Sequence, residues 1–136
     1  MIFFFFYGTL MDPDVLRAIT LLDTDPILRP ATLTGFDMKL WAGRYPILLP
    51  AESGRDTVPI KGMIWQATSL EQCLRLQRYE TSAYEPCECV VEIEDGTIEE
   101  VVTFRWARDR GSEELESLEG GFDLEFWQHN HKWDMF

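Results

Sequence analysis

The segment IFFFFYGTLMDPDVL, residues 2–16, carries the signals that decide the fold. Its first part, IFFFFY at 2–7, is aromatic and β-branched without polar alternation, which predicts a strand covered on both faces. Gly8 interrupts this pattern and indicates a turn. Asp12 and Pro13 then supply a helix N-cap and a proline at the first helical position. This segment is therefore predicted to form a strand, a glycine turn and a helix.

Outward from this segment, the spacing of apolar residues predicts the remaining elements. Further strands are predicted at 36–40, 60–66, 88–94 and 99–106. Helices are predicted from 13 to about 22, from 69 to about 80, and over a short stretch capped by Asp123. Loops are predicted at 43–59 and 109–121. Together these elements favour an α+β fold with a mixed sheet, curled into a small barrel, and two or three flanking helices.

The chain has 136 residues, 46% of them hydrophobic. This length is typical of one domain, and the composition is that of a globular protein. We therefore expect a single domain over residues 1–136, with a core large enough to be stable without disulfides.

The formal net charge of −12 narrows the classes of partner. A field of this sign repels phosphate backbones and anionic membrane surfaces, so neither nucleic acid nor a membrane is an expected partner. An anionic small molecule would also be repelled, so its binding would require a local positive feature.

The lack of a recognisable targeting signal and the small number of cysteines predict a cytoplasmic location. The apolar run at 2–6 is far shorter than the roughly 20 residues of a membrane-spanning helix, and no signal-peptide pattern is present. Three cysteines are too few for a disulfide framework.

The glycine turn is the first candidate site. A buried strand that ends at Tyr7 and passes through Gly8 and Thr9 into a helix brings backbone N–H groups together near a positive helix end. Such a turn could hold a carboxylate and so supply the positive feature that the net charge lacks. An ordinary strand-to-helix connection has the same sequence pattern.

Glu80 is the second candidate. It lies at the predicted C-terminal end of a helix, beside Tyr79 and shortly before Tyr84. The negative helix end and aromatic burial both disfavour the ionised carboxylate, which raises its pKa towards the range useful for a general acid/base. The alternative is a solvated glutamate.

Metal binding is not expected. Cys87 and Cys89 would share one face of a strand, whereas His129 and His131 would diverge on a helix, and neither spacing matches a zinc pattern. The cysteines are predicted to be buried or half-buried thiols. No phosphate-binding loop or serine nucleophile motif is present, and no cofactor is expected.

Five motifs in order resemble the gamma-glutamylcyclotransferase-like family, especially its plant and fungal members named for avirulence-induced genes. They are FFYGTLMDPDVL at 5–16, RYPILLP at 44–50, KGMIWQ at 61–66, LQRYETSAYEP at 76–86 and FDLEFW at 122–127. The resemblance implies a small mixed β-barrel with flanking helices. It also implies an enzyme that converts a γ-glutamyl amide into 5-oxoproline and a free amine.

The resemblance further assigns roles to individual residues. The family's acid/base glutamate falls on Glu80, and a later tyrosine is retained as Tyr84. The glycine that often follows this glutamate is Thr81 here. The turn that holds the γ-glutamyl head group in the family falls on Tyr7, Gly8, Thr9 and Leu10, with Met11 and Asp12 following.

Two other functional hypotheses stay open from the sequence. One is a non-catalytic small-molecule binding or stress-response protein on the same fold, and the other is a different amide-cleaving or acyl-handling enzyme. The leaving amine depends on the predicted loops at 43–59 and 107–121, whose sequences do not identify it. The sequence does not determine the oligomeric state.

Overall fold

The computed structural model describes residues 2–41, 45–52, 57–108, 115–117 and 122–134. The strands in these ranges are β1 (Ile2–Phe6), β2 (Arg29–Leu33), β3 (Phe36–Trp41), β4 (Tyr45–Pro50), β5 (Ile60–Ala67), β6 (Tyr84–Ile93), β7 (Ile98–Trp106) and β8 (Leu115–Ser117). The α-helices are α1 (Pro13–Thr20), α2 (Leu70–Glu80) and α3 (Leu124–Asn130).

Five strands close into a barrel in the order β1-β5-β2-β6-β7. β1 is antiparallel to β5 and meets β7 in parallel, with Phe4 opposite Val102. A second sheet has the order β4-β3-β8. This architecture confirms the predicted α+β fold with a curled sheet and flanking helices.

β1 lies between the barrel interior and the helices. Phe5 and Tyr7 pack into the interior cluster, whereas Phe4 and Phe6 pack with the cluster formed by the turn and the helices. All four are at most 6% exposed. Burying an apolar side chain of this size stabilises the fold by roughly 1.5–3 kcal/mol, so both faces of β1 contribute. The predicted coverage of both faces is confirmed.

The predicted helix caps are also confirmed. The Asp12 carboxylate accepts hydrogen bonds from the backbone N–H groups of Asp14 (2.8 Å) and Val15 (3.1 Å), and Pro13 begins α1. The Ser69 hydroxyl accepts one from the Gln72 N–H at the start of α2. α2 ends at Glu80, as predicted.

β4 shows that the predicted loop at 43–59 is wrong over residues 45–50. The buried residues Ile47 and Leu48 form part of a regular antiparallel pairing with β3. β4 is an edge strand of its sheet, where a proline without an N–H group is tolerated, so Pro46 and Pro50 do not prevent pairing. Residues 43–44 and 53–56 of this predicted loop lie outside the described residues.

Two further strands are absent from the sequence prediction. β2 contains Pro30 at a position that pairs with β5, whereas the pairing of β2 with β6 begins at Ala31. β8 has three residues and lies within the predicted loop at 109–121, which is therefore wrong over 115–117. A strand this short is below the length at which alternation is recognisable. Residues 109–114 and 118–121 lie outside the described residues.

Candidate active site

A cavity of about 410 Å³ lies where the end of β1, the end of α2 and the second sheet meet. This volume is within the range typical of small-molecule sites. The lining residues are Phe5, Phe6, Tyr7, Gly8, Thr9, Leu10, Trp41, Tyr45, Pro46, Tyr79, Glu80, Thr81, Tyr84 and Phe104. The structure thus brings Glu80, Tyr84 and the first four residues of the predicted turn to one cavity.

The turn after β1 is a 3₁₀ turn over Thr9–Met11. Its hydrogen bonds run from the Met11 N–H to the Gly8 carbonyl and from the Asp12 N–H to the Thr9 carbonyl, each 3.0 Å long. The first N–H groups of such a turn have no partner within it. Thr9 and Leu10, whose N–H groups are these first ones, both line the cavity.

Gly8 lies in close contact with the second sheet. A Cβ atom built at Gly8 would lie 3.0 Å from Cγ of Pro46. The φ angle of Gly8 is −130°, which other residues also adopt. The absence of a side chain is what keeps this contact free of a clash.

Asp12 and Met11 are not among the residues that line the cavity. Asp12 is fully buried at the N-terminus of α1, where its carboxylate meets the amide of Gln128 (2.7 Å) and the ammonium of Lys132 (3.0 Å). Although burial acts to raise it, hydrogen bonds from Gln128 and Lys132 hold the pKa of Asp12 below its ordinary value. The positive end of α1 is thus occupied by the protein's own carboxylate.

Glu80 is the last residue of α2 and borders the cavity, through which it keeps partial access to water. Burial of its carboxyl group raises its pKa from 4.5 to about 8. Nearby phenols experience its charge, since Glu80 contributes to the raised pKa of Tyr7, Tyr79 and Tyr84. A carboxyl group that titrates near neutral pH can both accept and donate a proton.

The phenol groups around Glu80 are held by specific hydrogen bonds. The Tyr7 hydroxyl donates to the Phe104 carbonyl on β7, and the Tyr84 hydroxyl donates to the Pro46 carbonyl at 3.0 Å. The Tyr79 hydroxyl and the Thr9 hydroxyl are 2.8 Å apart, which ties the end of α2 to the turn. Burial, the largest cause, raises the pKa of Tyr79 to about 12, so this phenol stays neutral at physiological pH.

Thr81, which immediately follows Glu80, has an unusual backbone conformation. Its φ and ψ angles are 66° and −178°, a region that is essentially restricted to glycine. The Thr81 N–H donates to the Gln77 carbonyl at 3.1 Å and closes the end of α2. A β-branched residue therefore holds a strained backbone conformation directly beside the Glu80 carboxyl group.

The second sheet supplies part of the cavity, where the sequence predicts a pocket-forming loop at 43–59 rather than a paired strand. Trp41 ends β3, and Tyr45 and Pro46 begin β4. Because 43–59 was predicted to be a loop, the pairing that places these residues opposite the turn was not foreseen. The sequence feature that points to this part of the cavity is the alternation of apolar and polar residues at 36–40, followed by the aromatic Trp41.

The cysteines and histidines do not assemble a metal site in the part of the chain that the structure describes. No group of three or more histidine, cysteine, aspartate or glutamate side chains could hold a metal ion there. Cys73, Cys87 and Cys89 are half-buried free thiols, as the sequence predicted. Within the described ranges, no helix has the length and apolar character needed to cross a membrane.

The barrel, the second sheet and the flanking helices form the fold that the sequence resemblance implied. The sequence matches the family described as Gamma-glutamyl cyclotransferase, AIG2-like, over residues 4–127. The chain belongs to this family. No curated protein matches the sequence.

Solved structures share this fold. The solution structure of one Arabidopsis thaliana protein is 27% identical, with a TM-score of 0.65 over 98% of this chain and 85% of that chain. A second solution structure from Arabidopsis thaliana is 24% identical, with a TM-score of 0.69 over 98% of this chain and 76% of that chain. A structure described as a gamma-glutamyl cyclotransferase is 14% identical, with a TM-score of 0.57 over 85% and 69% of the two chains.

Proposed function

We propose that this protein converts a γ-glutamyl amide into 5-oxoproline and a free amine, with Glu80 as the acid/base. One observation carries the proposal: the Glu80 carboxyl group borders a ligand-sized cavity, and burial raises its pKa to about 8. Membership of the cyclotransferase family supports the same reaction class.

The γ-glutamyl head group is proposed to bind at the turn. Its α-carboxylate would accept hydrogen bonds from the N–H groups of Thr9 and Leu10, and the Thr9 hydroxyl lies beside them. Its α-ammonium would then face Glu80. Tyr84 assists here because its proton is donated to the Pro46 carbonyl, so its oxygen keeps only its acceptor capacity for the cavity.

The substrate would supply its own nucleophile. Glu80 as carboxylate takes one proton from the α-ammonium, and the resulting amine attacks the γ-carbonyl carbon to form the five-membered ring. The amide C–N bond then breaks, and Glu80 returns a proton to the leaving nitrogen. Of the three ammonium hydrogens, one stays on the lactam nitrogen and two end on the released amine, which departs as an ammonium.

Conformational restriction is expected to supply much of the rate. Holding the γ-glutamyl chain in its folded conformer replaces a random search by a near-attack geometry, an effect worth several kcal/mol in cyclisations. The Tyr7 hydroxyl supports this geometry by fixing the end of β1 to the Phe104 carbonyl. Tyr7 and Gly8 therefore act mainly by positioning the turn.

The test measures 5-oxoproline by mass spectrometry after incubation with a panel of γ-glutamyl dipeptides and γ-glutamyl amines. The Glu80→Gln variant should lose at least 100-fold in kcat/KM, because a positioned acid/base typically contributes about 10²–10⁴-fold. Glu88→Gln is the matched control, since Glu88 is an exposed glutamate that is not part of the cavity lining.

The outcomes separate the functional hypotheses. Equal turnover by wild type and Glu80→Gln would contradict the assignment of the acid/base. Binding of γ-glutamyl compounds without turnover would favour a non-catalytic binding protein on this fold. Hydrolysis to glutamate instead of cyclisation would favour a different amide-cleaving enzyme.

A further inference from the structure

Two hydroxyl groups meet where the end of α2 contacts the turn after β1. The Thr9 hydroxyl and the Tyr79 hydroxyl are 2.8 Å apart, and both residues line the cavity. Both residues are half-buried, although they are 70 positions apart in sequence. The contact therefore brings a polar group of α2 to the place where the proposed function puts the α-carboxylate of the substrate.

An α-carboxylate at this turn has to find donors other than the start of α1. The N–H groups of Asp14 and Val15 there already donate to the Asp12 carboxylate. The turn itself offers the N–H groups of Thr9 and Leu10. A carboxylate has two oxygens with about four acceptor sites, so it has room for the Thr9 hydroxyl as a third donor.

The direction of the hydrogen bond between the two hydroxyls decides what Thr9 can do. Burial, the largest cause, raises the pKa of Tyr79 to about 12, so this phenol carries its proton at neutral pH. A phenol is more acidic than an aliphatic alcohol and is therefore the better donor, whereas a threonine hydroxyl accepts through its lone pairs and rotates its own hydrogen. If the Tyr79 O–H donates to Oγ1 of Thr9, the Thr9 hydrogen lies outside this bond and can be directed to a ligand.

We propose that Tyr79 is a positioning residue that holds the Thr9 hydroxyl as a donor to the α-carboxylate of the γ-glutamyl head group. This inference rests on the proposed cyclotransferase function and specifies how its site selects a head group with a free α-carboxylate. The Tyr79 O–H donates to Oγ1 of Thr9, and the Thr9 O–H donates to a carboxylate oxygen. The bond to the charged acceptor is the stronger of the two, and each bond in such a chain polarises the next.

The first test compares two substrates that differ only in the head group. They are the γ-glutamyl compound of the panel with the fastest turnover and its α-carboxamide counterpart, and mass spectrometry measures the lactam formed from each. Wild type should favour the carboxylate by about tenfold or more in kcat/KM, because a charged acceptor binds the same donors more strongly. Thr9→Val keeps the shape of the side chain. It should lower kcat/KM for the carboxylate about tenfold to hundredfold, and that for the carboxamide much less.

The second test asks whether Tyr79 acts through Thr9. Tyr79→Phe should lower kcat/KM for the carboxylate substrate about threefold to tenfold. The change should lie in KM rather than in kcat, since the carboxylate is bound alike before and during cyclisation. In the Thr9→Val background the same substitution should cost nothing further. Thr9→Ser keeps the hydroxyl, so it should retain most of the activity and the sensitivity to Tyr79→Phe.

Two readouts separate this positioning role from a structural contact. If the bond between the hydroxyls only fastened α2 to the turn, Thr9→Val and Tyr79→Phe would each break it, with equal losses for both substrates. Tyr79 also precedes Glu80 directly, so the pH profile of kcat is compared between Tyr79→Phe and wild type, and the two should coincide. Thr32→Val, at a half-buried threonine of β2 outside the cavity lining, is the matched control and should leave both rates unchanged.

Each result decides between the two proposals. Equal turnover of the two substrates by wild type, or equal losses for both in the variants, would overturn the inference and leave the cyclotransferase function standing. Losses that multiply in the double variant, or a shifted pH profile in Tyr79→Phe, would do the same. No 5-oxoproline from any γ-glutamyl compound would count against the proposed function itself, and the inference would fall with it.

Discussion

At the residue scale, the Glu80 carboxyl group lies among phenols at the end of α2, and burial raises its pKa to about 8. An unfolded chain would ionise this group near pH 4.5. Between these two pH values the unfolded state releases a proton that the folded state keeps. The stability of the fold therefore falls as pH rises from about 4.5 to about 8, on account of this one group.

Glu80→Gln should remove that pH dependence. We expect the variant to gain about 1–3 kcal/mol over wild type at pH 8.5, with little gain at pH 4.5, because Glu80 is partly exposed and solvent screening reduces the full linkage effect. Thermal unfolding of both proteins at the two pH values measures the difference. A variant less stable than wild type at pH 8.5 would contradict the raised pKa.

Thr81 permits a second prediction at this scale. Its φ of 66° is strained for any residue with a Cβ atom, whereas its hydroxyl accepts a hydrogen bond of 3.3 Å from the Ala83 N–H. Thr81→Ala removes the hydroxyl and keeps the strain, and Thr81→Gly removes both. We expect Thr81→Gly to be about 1–2 kcal/mol more stable than Thr81→Ala in chemical unfolding.

The sequence was informative about Glu80 and less so about its neighbours. Its place at a helix end, between Tyr79 and Tyr84, predicted a raised pKa, and burial is the cause that the structure identifies. Asp12 shows the opposite case. The N-cap signal was correct, but its pairing with Lys132 joins residues 120 positions apart, which no local pattern encodes.

At the element scale, α3 and the 3₁₀ turn after it hold the start of α1. α3 contributes Gln128, and Lys132 follows in a 3₁₀ turn. Lys132 also meets Asp14 at 2.7 Å. These contacts tie α3 and the residues after it to the N-terminus of α1, which directly follows the turn that borders the cavity.

Lys132→Gln should destabilise the protein, because Asp12 is fully buried and would lose its cationic partner. We expect a loss of about 1–3 kcal/mol at pH 7. The pKa of Asp12 is lowered in the fold, so its contribution is present above about pH 4 and disappears as pH falls through the folded pKa. The difference between wild type and variant should therefore shrink in acid unfolding.

Lys132→Arg and Lys61→Gln are the controls for this prediction. The arginine variant should restore most of the stability by keeping the charge, and Lys61 is exposed on β5. Equal stability of Lys132→Gln and wild type at pH 7 would show that the contact contributes nothing.

Sequence patterns predicted the elements with strong periodicity or caps and missed those defined by long-range pairing. β1, α1 and α2 have a continuous apolar run or an N-cap, and all three were predicted. β2 and β4 contain prolines, which indicate loops when only the sequence is known. The strand pairing of the structure shows that these prolines nevertheless lie in sheets. Because β4 is not predicted, the sequence does not indicate that Tyr45 pairs with Trp41 in the cavity wall.

At the scale of the whole molecule, the parallel contact between β1 and β7 governs when the cavity can exist. The Tyr7 hydroxyl and the Phe104 carbonyl are 97 residues apart in sequence. During synthesis, β1 can pair with β5 before its second neighbour, β7, has been made, so the barrel closes only when β7 is complete. Such distant pairing slows folding, so aromatic β1 is exposed to aggregation and to chaperones during synthesis.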